Sequence, residues 1–487
     1  MRTAIIGGGI TGLSAAYELE MARRAGVDVE YMLFEAGSRL GGVLASKVVN
    51  GAVLDLGPDS FLTEKTAAAE LCHELGLSER LIHSNDADRK TFVVVRNRLV
   101  PLPDGLMFLV PTRLASTALT RLFSPKTKVR MALELLMRPR QNEEDESVAA
   151  LVKRHFGQET VDRLADPLLS GIYGGDATQL SAQAVMPRLV EMECRYGSLT
   201  RGMLAARRQA RARMAAGKAG GEPARAGTTR RTPRGVFTTL RGGMQELVDA
   251  VEAQLDPNRI RKATAVRTLS STAEGWRVET DGAAERFDAV ILATSAWAAG
   301  ALLRETDSAL SADLEGIPYS SSITVGLIYD ASQMGELPEG FGFLVPAVEG
   351  RSMLACTFVH RKFPGRAPFG KIVLRAFLGG INGEVLMGES DEALLARVRR
   401  ELSEILGEGI LEPGVRPEYA QVTRWRRALA QYAVGHHERM ERIRERLAAH
   451  PSLRLAGNAY DGIGIPDCIR LGRESARELA AHPETVP

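Results

Sequence analysis

Arg2-Thr3-Ala4-Ile5-Ile6-Gly7-Gly8-Gly9-Ile10-Thr11-Gly12 opens the chain as a short apolar strand running into G-x-G-x-x-G. Leu13, Ala16 and Leu19 then recur at helical spacing, and 29–34 reads as a second strand, so residues 1–35 make a βαβ unit. Each glycine has its own duty in such a turn. Gly7 permits the tight bend, Gly9 lets backbone approach a pyrophosphate, and Gly12 lets helix and strand pack closely. Gly8, Ile10 and Thr11 complete a loop whose N–H groups and positive helix end suit phosphate. Glu35 ends the second strand 23 residues after Gly12, where a carboxylate accepts hydrogen bonds from both hydroxyls of a ribose. The stretch reads as a dinucleotide site.

Arg39-Leu40-Gly41-Gly42 follows that carboxylate, and R-x-G-G at this place is typical of FAD rather than NAD proteins. Asp55-Leu56-Gly57-Pro58-Asp59-Ser60-Phe61 adds a Gly-Pro turn, which lets backbone lie beside a flat ring without side-chain collision. Far along the chain, Gly457-Asn458-Ala459-Tyr460-Asp461-Gly462-Ile463-Gly464-Ile465-Pro466-Asp467 precedes a helical run from Cys468. It is a second glycine-rich helix entrance, suited to the ribityl and pyrophosphate end of one long cofactor. Two such entrances so far apart imply a discontinuous cofactor domain.

A length of 487 residues implies two or three compact units. Lys plus Arg number 62 against 60 Asp plus Glu, a balance with no global pull toward nucleic acid or anionic lipid. Cys72, Cys194, Cys356 and Cys468 offer neither a C-x-x-C pair nor zinc-ligand spacing, and point to a reducing compartment. His436-His437 lacks a third ligand at suitable spacing, so a structural histidine is expected and no metal. No stretch reaches the roughly 18 uninterrupted apolar residues of a spanning helix. The first residues read as strand rather than signal peptide. A cytoplasmic protein is expected, with a peripheral place on the inner face of the cell membrane as the further reading.

Residues 64–82 read as helical, 92–95 as strand and 104–195 as mostly helical. Strands are expected at 276–280, 289–294, 322–329, 353–358 and 371–378, and a helix at about 390–406. Leu106-Met107-Phe108-Leu109-Val110 forms an apolar tip suited to lipid. Between Arg201 and Arg234, ten basic residues stand against Glu222 alone; the segment carries about +9 and leaves the remainder near −7. It reads first as a solvated, partly disordered surface loop. Contact with anionic headgroups or a partner protein comes second. Nucleic acid comes third, because no aromatic residues are interleaved for stacking on bases.

Further blocks carry a family resemblance. Leu169-Ser170-Gly171-Ile172-Tyr173-Gly174-Gly175-Asp176 with Leu180-Ser181, Tyr196-Gly197-Ser198-Leu199 with Gly202, Phe237-Thr238-Thr239-Leu240 with Gly242-Gly243, and Arg424-Trp425 with Gln431-Tyr432 and Gly435-His436 resemble landmarks of the oxygen-dependent porphyrinogen oxidases. These lie within the wider flavin amine oxidase and phytoene desaturase group. Gly57-Pro58-Asp59-Ser60-Phe61-Leu62 and Gly464-Ile465-Pro466-Asp467-Cys468-Ile469 are most similar to the Gram-positive-type branch, which mainly oxidises coproporphyrinogen III to coproporphyrin III. The other branch makes protoporphyrin IX. Ala430 and Ser295 stand where the family usually has proline.

The resemblance implies FAD, and for it Gly7, Gly8, Gly9, Ile10, Thr11, Gly12, Glu35, Ala36, Arg39, Gly41, Gly42, Leu56, Gly57, Pro58, Asp59, Val266, Trp425, Gly457, Gly462, Ile463 and Gly464. It implies a macrocycle held by Phe377, Leu344, the aliphatic position that falls on Thr357, and the backbone of Gly171, Gly174 and Gly175. An arginine that holds a propionate in some relatives has no counterpart at Thr91; Arg89, Lys90, Arg96 and Arg98 are the nearest basic residues. The chemistry implied is three two-electron oxidations by the flavin, with O2 as acceptor and H2O2 released, and no catalytic side chain. Hand-off of the product to ferrochelatase, contact with anionic membrane, and a monomer or homodimer are the partner expectations.

The expected fold is α/β. A discontinuous Rossmann-like FAD domain (1–60, 235–305, 422–487) joins a mixed-sheet α+β substrate domain (61–95, 184–234, 306–421) and a helical lid or membrane-associating domain (96–183). Competing readings are an amine oxidase or carotenoid desaturase, and a non-catalytic flavin-binding scaffold.

Overall fold

The computed structural model describes residues 1–107, 109–140, 144–219, 235–380 and 383–481. Its nucleotide side is a five-stranded parallel sheet in the order Ile260–Arg261, Glu30–Phe34, Arg2–Ile6, Ala289–Leu292, Leu453–Leu455. Arg2–Ile6 lies at the centre, so the chain leaves it to one side for Glu30–Phe34 and returns on the other as Ala289–Leu292. That reversal is a switch point, where open parallel sheets form ligand crevices. The helix Ile10–Arg24 buries Leu13, Ala16 and Leu19 beneath the sheet, beside Ile469, Ala476 and Leu479 of the helix Ile465–Ala481. Each such leucine contributes about 1.5–3 kcal/mol by leaving water. A Cβ on Gly472 would sit 2.2 Å from the Thr11 carbonyl oxygen, so glycine there lets the two helices touch.

The second sheet has seven strands in the order Tyr419–Ala430, Tyr319–Asp330, Lys371–Leu378, Met353–Phe358, Gly342–Leu344, Thr91–Val95, Arg98–Pro101. Alternation sets its two faces. Ile323, Val325, Leu374, Ala376, Cys356 and Phe343 point into a core closed by Leu394, Val398 and Leu402 of the helix Asp391–Leu406. Ser390 caps that helix by accepting from the Ala393 N–H. The opposite face looks toward the nucleotide side.

A third core, within 93–203, joins Leu151, Val152, Phe156, Leu164 and Leu169 to Val93. Within it the helical path widens to a π turn over Val161–Ala165 just before Pro167, which has no N–H to donate. Leu189, Leu199 and Met203, expected in the substrate domain, pack here instead. Phe61, Ala68, Leu71 and Cys72, also expected in that domain, pack under the parallel sheet because the helix Ala67–Glu74 lies against the last helix.

Several local expectations change. The helix expected over 64–82 stops at Glu74, with Gly76 in a left-handed turn, and gives way to the strand Leu81–His83. The basic segment is not a loop from its start: a helix runs Leu199–Ala219, as its alanine and arginine content favours. Its remainder, 220–234, lies outside the described residues. Leu109 and Val110 of the apolar tip are buried inside the third core rather than offered to lipid; Phe108 lies outside the described residues. Among the described residues no helix is long and apolar enough to cross a membrane.

His155 lies fully buried, its Nδ1 2.9 Å from Glu134 and its Nε2 3.0 Å from Glu193. Arg154 also pairs with Glu193, while Glu134 accepts from Ser198 Oγ and the Leu199 N–H. Burial alone would lower the His155 pKa from its usual 6.5, but the two carboxylates outweigh it and raise it. A raised histidine stabilises the fold fully below its unfolded value and loses that contribution as pH rises through the folded one. Thermal stability should therefore decline from pH 6 toward alkaline pH, and His155→Gln should flatten that slope in parallel melts.

Candidate cofactor and active site

A cavity of about 760 Å³ opens at the carboxyl ends of the parallel strands. Gly7, Gly9, Ile10 and Thr11 line it from the first turn, Glu35 and Ala36 from just past the second strand, and Gly41 and Gly42 from the R-x-G-G loop. Val266, Trp425, Gly457 and Ile463 complete the convergence from distant parts of the chain. The helix Ile10–Arg24 begins here without a side-chain cap or an acid in its first turn, so its N–H groups and positive end face the space unspent. A Cβ on Gly9 would meet nothing within 4 Å, whereas one on Gly12 would lie 1.9 Å from the Gly7 carbonyl oxygen. Gly9 thus keeps the cavity open, and Gly12 keeps the turn closed.

Glu35 also braces the wall, and other expected residues act behind it. The Glu35 carboxylate accepts from the N–H groups of Gly8 (2.7 Å) and Gly37 (2.6 Å), which locks the two turns together beside the cavity. Arg39 does not line the space; its guanidinium donates to the carbonyls of Leu40, Leu44 and Gly42. Gly462 and Gly464 likewise stand back. Tyr432 holds their loop, donating to Asn458 O (3.1 Å) and accepting from Gly462 N–H (2.9 Å). His436 stacks on that tyrosine at 4.2 Å and is pushed down to about 4 by burial, a structural histidine. The helix Ile465–Ala481 spends its N-terminal field on Asp467, which also pairs with Lys65.

Pro58 enters the cavity on a segment clamped from behind. Leu56 O accepts from Trp425 Nε1 (2.8 Å) and Thr324 Oγ1 (2.6 Å), and Gly57 O from Arg375. A Cβ on Gly57 would fall 1.8 Å from Val43 O. Asp59 faces Lys362 at 3.1 Å and Arg375 at 3.5 Å. Burial alone would raise its carboxyl, yet these two cations hold it well below the usual range. None of Leu56, Gly57 and Asp59 lines the cavity; they shape it.

The clamp joins the cavity to the seven-stranded sheet. Phe377 pairs across the ladder with Thr324 and Ala355, Ala355 with Leu344, and Thr357 with Arg375. Cross-strand partners share a face, so Phe377, Ala355, Leu344 and Thr357 all stand on the side that touches Leu56 and Gly57. Phe377, Leu344 and Thr357 are half-buried, while Phe343, Cys356 and Ala376 on the reverse face are core. The helix Asp166–Tyr173 crosses above, with the Cβ position of Gly171 3.6 Å from Leu344 Cδ2. Gly174 and Gly175 lie past its end, lining a second cavity of about 320 Å³ with Ser320, Ser321, Glu384 and Gln431. Lys90 is paired with Glu339, and Arg96 offers its backbone N–H to Glu349.

Sequence reasoning missed Ala355, Arg375 and Lys362, and also Trp297 and Arg427, which line the large cavity. Ala355 carried a signal, the two-residue alternation with Thr357; the others depend on contacts across more than 100 positions. The residues present fit a flavin dinucleotide: an uncapped helix end with an open glycine for the diphosphate, a carboxylate just past the second strand, and Pro58 in the wall.

Comparisons with known proteins agree. The model of flavin-containing amine oxidoreductases matches residues 10–480. The chain is 33% identical to coproporphyrinogen III oxidase of Bacillus subtilis over 484 residues, covering 98% of this chain and 97% of that protein. It is 30% identical to coproporphyrinogen III oxidase of Staphylococcus aureus, covering 98% of each. A crystal structure of a putative protoporphyrinogen oxidase from Exiguobacterium superposes with a TM-score of 0.84 at 32% identity, covering 99% of each chain. The chain thus belongs to the flavin-containing amine oxidoreductase family and is an FAD-dependent oxidoreductase.

Proposed function

We propose that the chain oxidises coproporphyrinogen III to coproporphyrin III, with O2 as the final acceptor and H2O2 as its product. The carrying observation is the shared apolar face of Phe377, Ala355 and Leu344, which lies beneath Gly171 on the side of the sheet that holds the Leu56–Gly57 segment behind the large cavity. The names of the relatives point the same way. Bound FAD supplies a two-electron acceptor, and three uses of it remove the six electrons that separate porphyrinogen from porphyrin. Phe377 and Leu344 orient the ring by apolar contact, the glycines of 171–175 avoid side-chain collision, and Arg375 and Thr324 hold the cavity wall in place. Protoporphyrinogen IX is the second reading, favoured by the name of the Exiguobacterium protein. The ratio of turnover on the two porphyrinogens decides between them; a ratio above one for coproporphyrinogen III supports the first.

Phe377→Ala should keep its flavin and raise KM about tenfold, the loss of ~1.4 kcal/mol of ring contact. Steady-state kinetics beside a visible spectrum checks this.

For a lipid contact the supporting surface lies in 113–140. Leu119, Val129, Leu133 and Leu136 are exposed there among Arg121, Lys126 and Arg138, and the one acid of that stretch, Glu134, is buried. Such a basic, apolar surface suits anionic headgroups. Flotation with phosphatidylglycerol vesicles at low salt should carry the protein, and Leu133→Glu with Leu136→Glu should leave it behind.

A further inference from the structure

We infer that Arg427 is the side-chain counter-ion of the cofactor diphosphate, an inference that rests on FAD occupying the large cavity. The charge needs a partner. A diphosphate brings two negative charges, and an uncapped helix end offers roughly half a positive one. Arg39 does not supply the rest, since its guanidinium is turned onto three carbonyls of its own loop.

Arg427 lines the cavity together with Ile10, Thr11, Ser295 and Trp297. Its backbone is left-handed, with φ at 46°, in the strand Tyr419–Ala430. The ladder to the neighbouring strand slips between Ser320 and Ser322, and the Arg427 N–H donates instead to Ser321 Oγ at 3.0 Å. A long side chain keeps such a backbone only where the surroundings over-determine it, and such positions gather at ligand clamps. Trp297 shapes this one. Its indole N–H donates to the Arg427 carbonyl, and its ring lies 4.7 Å from the guanidinium carbon.

The neighbouring cations are occupied: Arg424 pairs with Asp391, and Arg426 donates to Met387 O at 3.1 Å. Among the described residues no carboxylate pairs with Arg427. A guanidinium held on an indole in the wall of the cavity that the helix end also lines, without an internal anion, is poised for an external one.

The test compares FAD with riboflavin, which lacks phosphate, on apoprotein stripped from the purified enzyme. Binding is read by quenching of flavin fluorescence across a salt series. Arg427→Gln should weaken FAD at least tenfold, flatten its salt dependence and leave riboflavin unchanged; Arg427→Lys should restore part of the loss. Arg427→Gly, which suits the left-handed backbone, should weaken FAD equally without lowering the melting temperature of the apoprotein. FAD affinity within twofold of the parent, or equal losses for FAD and riboflavin, would overturn the inference. If the parent protein itself binds riboflavin as tightly as FAD, the diphosphate site as a whole is misplaced, a failure distinct from that of Arg427.

Discussion

Gly9→Val should give a folded, colourless protein. The position lines the cavity at the start of the first helix, with an ordinary backbone (φ −68°, ψ 176°) and no protein atom within 4 Å of an added Cβ. A branched side chain therefore fits the empty chain and fills the space that phosphate needs against the helix N–H groups. FAD affinity should fall at least ~100-fold, ~2.7 kcal/mol or more, while the far-ultraviolet spectrum and apoprotein melting stay at parent values. Gly12→Val should do the opposite. Its Cβ would strike the Gly7 carbonyl oxygen at 1.9 Å, so the turn itself must break and soluble folded protein should be scarce. Two glycines of one motif thus separate cofactor loss from fold loss. Flavin retained by Gly9→Val would place the phosphates elsewhere.

Arg366→Met should cost ~3–5 kcal/mol of stability. Arg366 is fully buried, its Nη1 2.7 Å from Asp55 and its other terminal nitrogen on Thr239 Oγ1. Thr239 in turn donates to Asp59 O at 2.6 Å, so the arginine supports both ends of the Asp55–Asp59 segment. Truncation strands a buried carboxylate whose remaining partners are Ser46 Oγ and the Met244 N–H. Adding Asp55→Asn should recover much of the loss, because the charge left behind, rather than the missing attraction, carries most of the cost. Urea unfolding of the apoprotein measures both. A single variant as stable as the parent would mean that water or a neighbour replaces the guanidinium.

The first turn was legible because its physics is local. Strand, three glycines, helix and carboxylate lie within 35 residues, and each glycine answers a clash or an opening a few atoms away. Gly457 and Ile463 could be read for the same reason. Arg39 could not, since a motif places an arginine near a phosphate but not the direction of its long side chain, and here three carbonyls of its own loop capture it. Asp59 looked like a residue facing the flavin, yet its partners Lys362 and Arg375 come from some 300 positions later. Leu109 and Val110 show another limit. An apolar run needs to leave water, and only packing decides whether protein or lipid receives it. The basic helix Leu199–Ala219 shows the reverse, because charge density argues for solvent but says little about backbone, and alanine and arginine are good helix formers. Phe377, Leu344 and Thr357 came from resemblance; the ladder adds what resemblance lacked, that Ala355 sits between the first two on the same face.

The most direct test of the whole account is an anaerobic titration of the purified yellow protein with coproporphyrinogen III, followed at the visible flavin maximum. Bleaching should be complete at about one porphyrinogen for every three flavins, since six electrons fill three two-electron acceptors, with colour returning on admission of air. A flavin that stays oxidised in excess porphyrinogen, or that bleaches only with an amine, would contradict it.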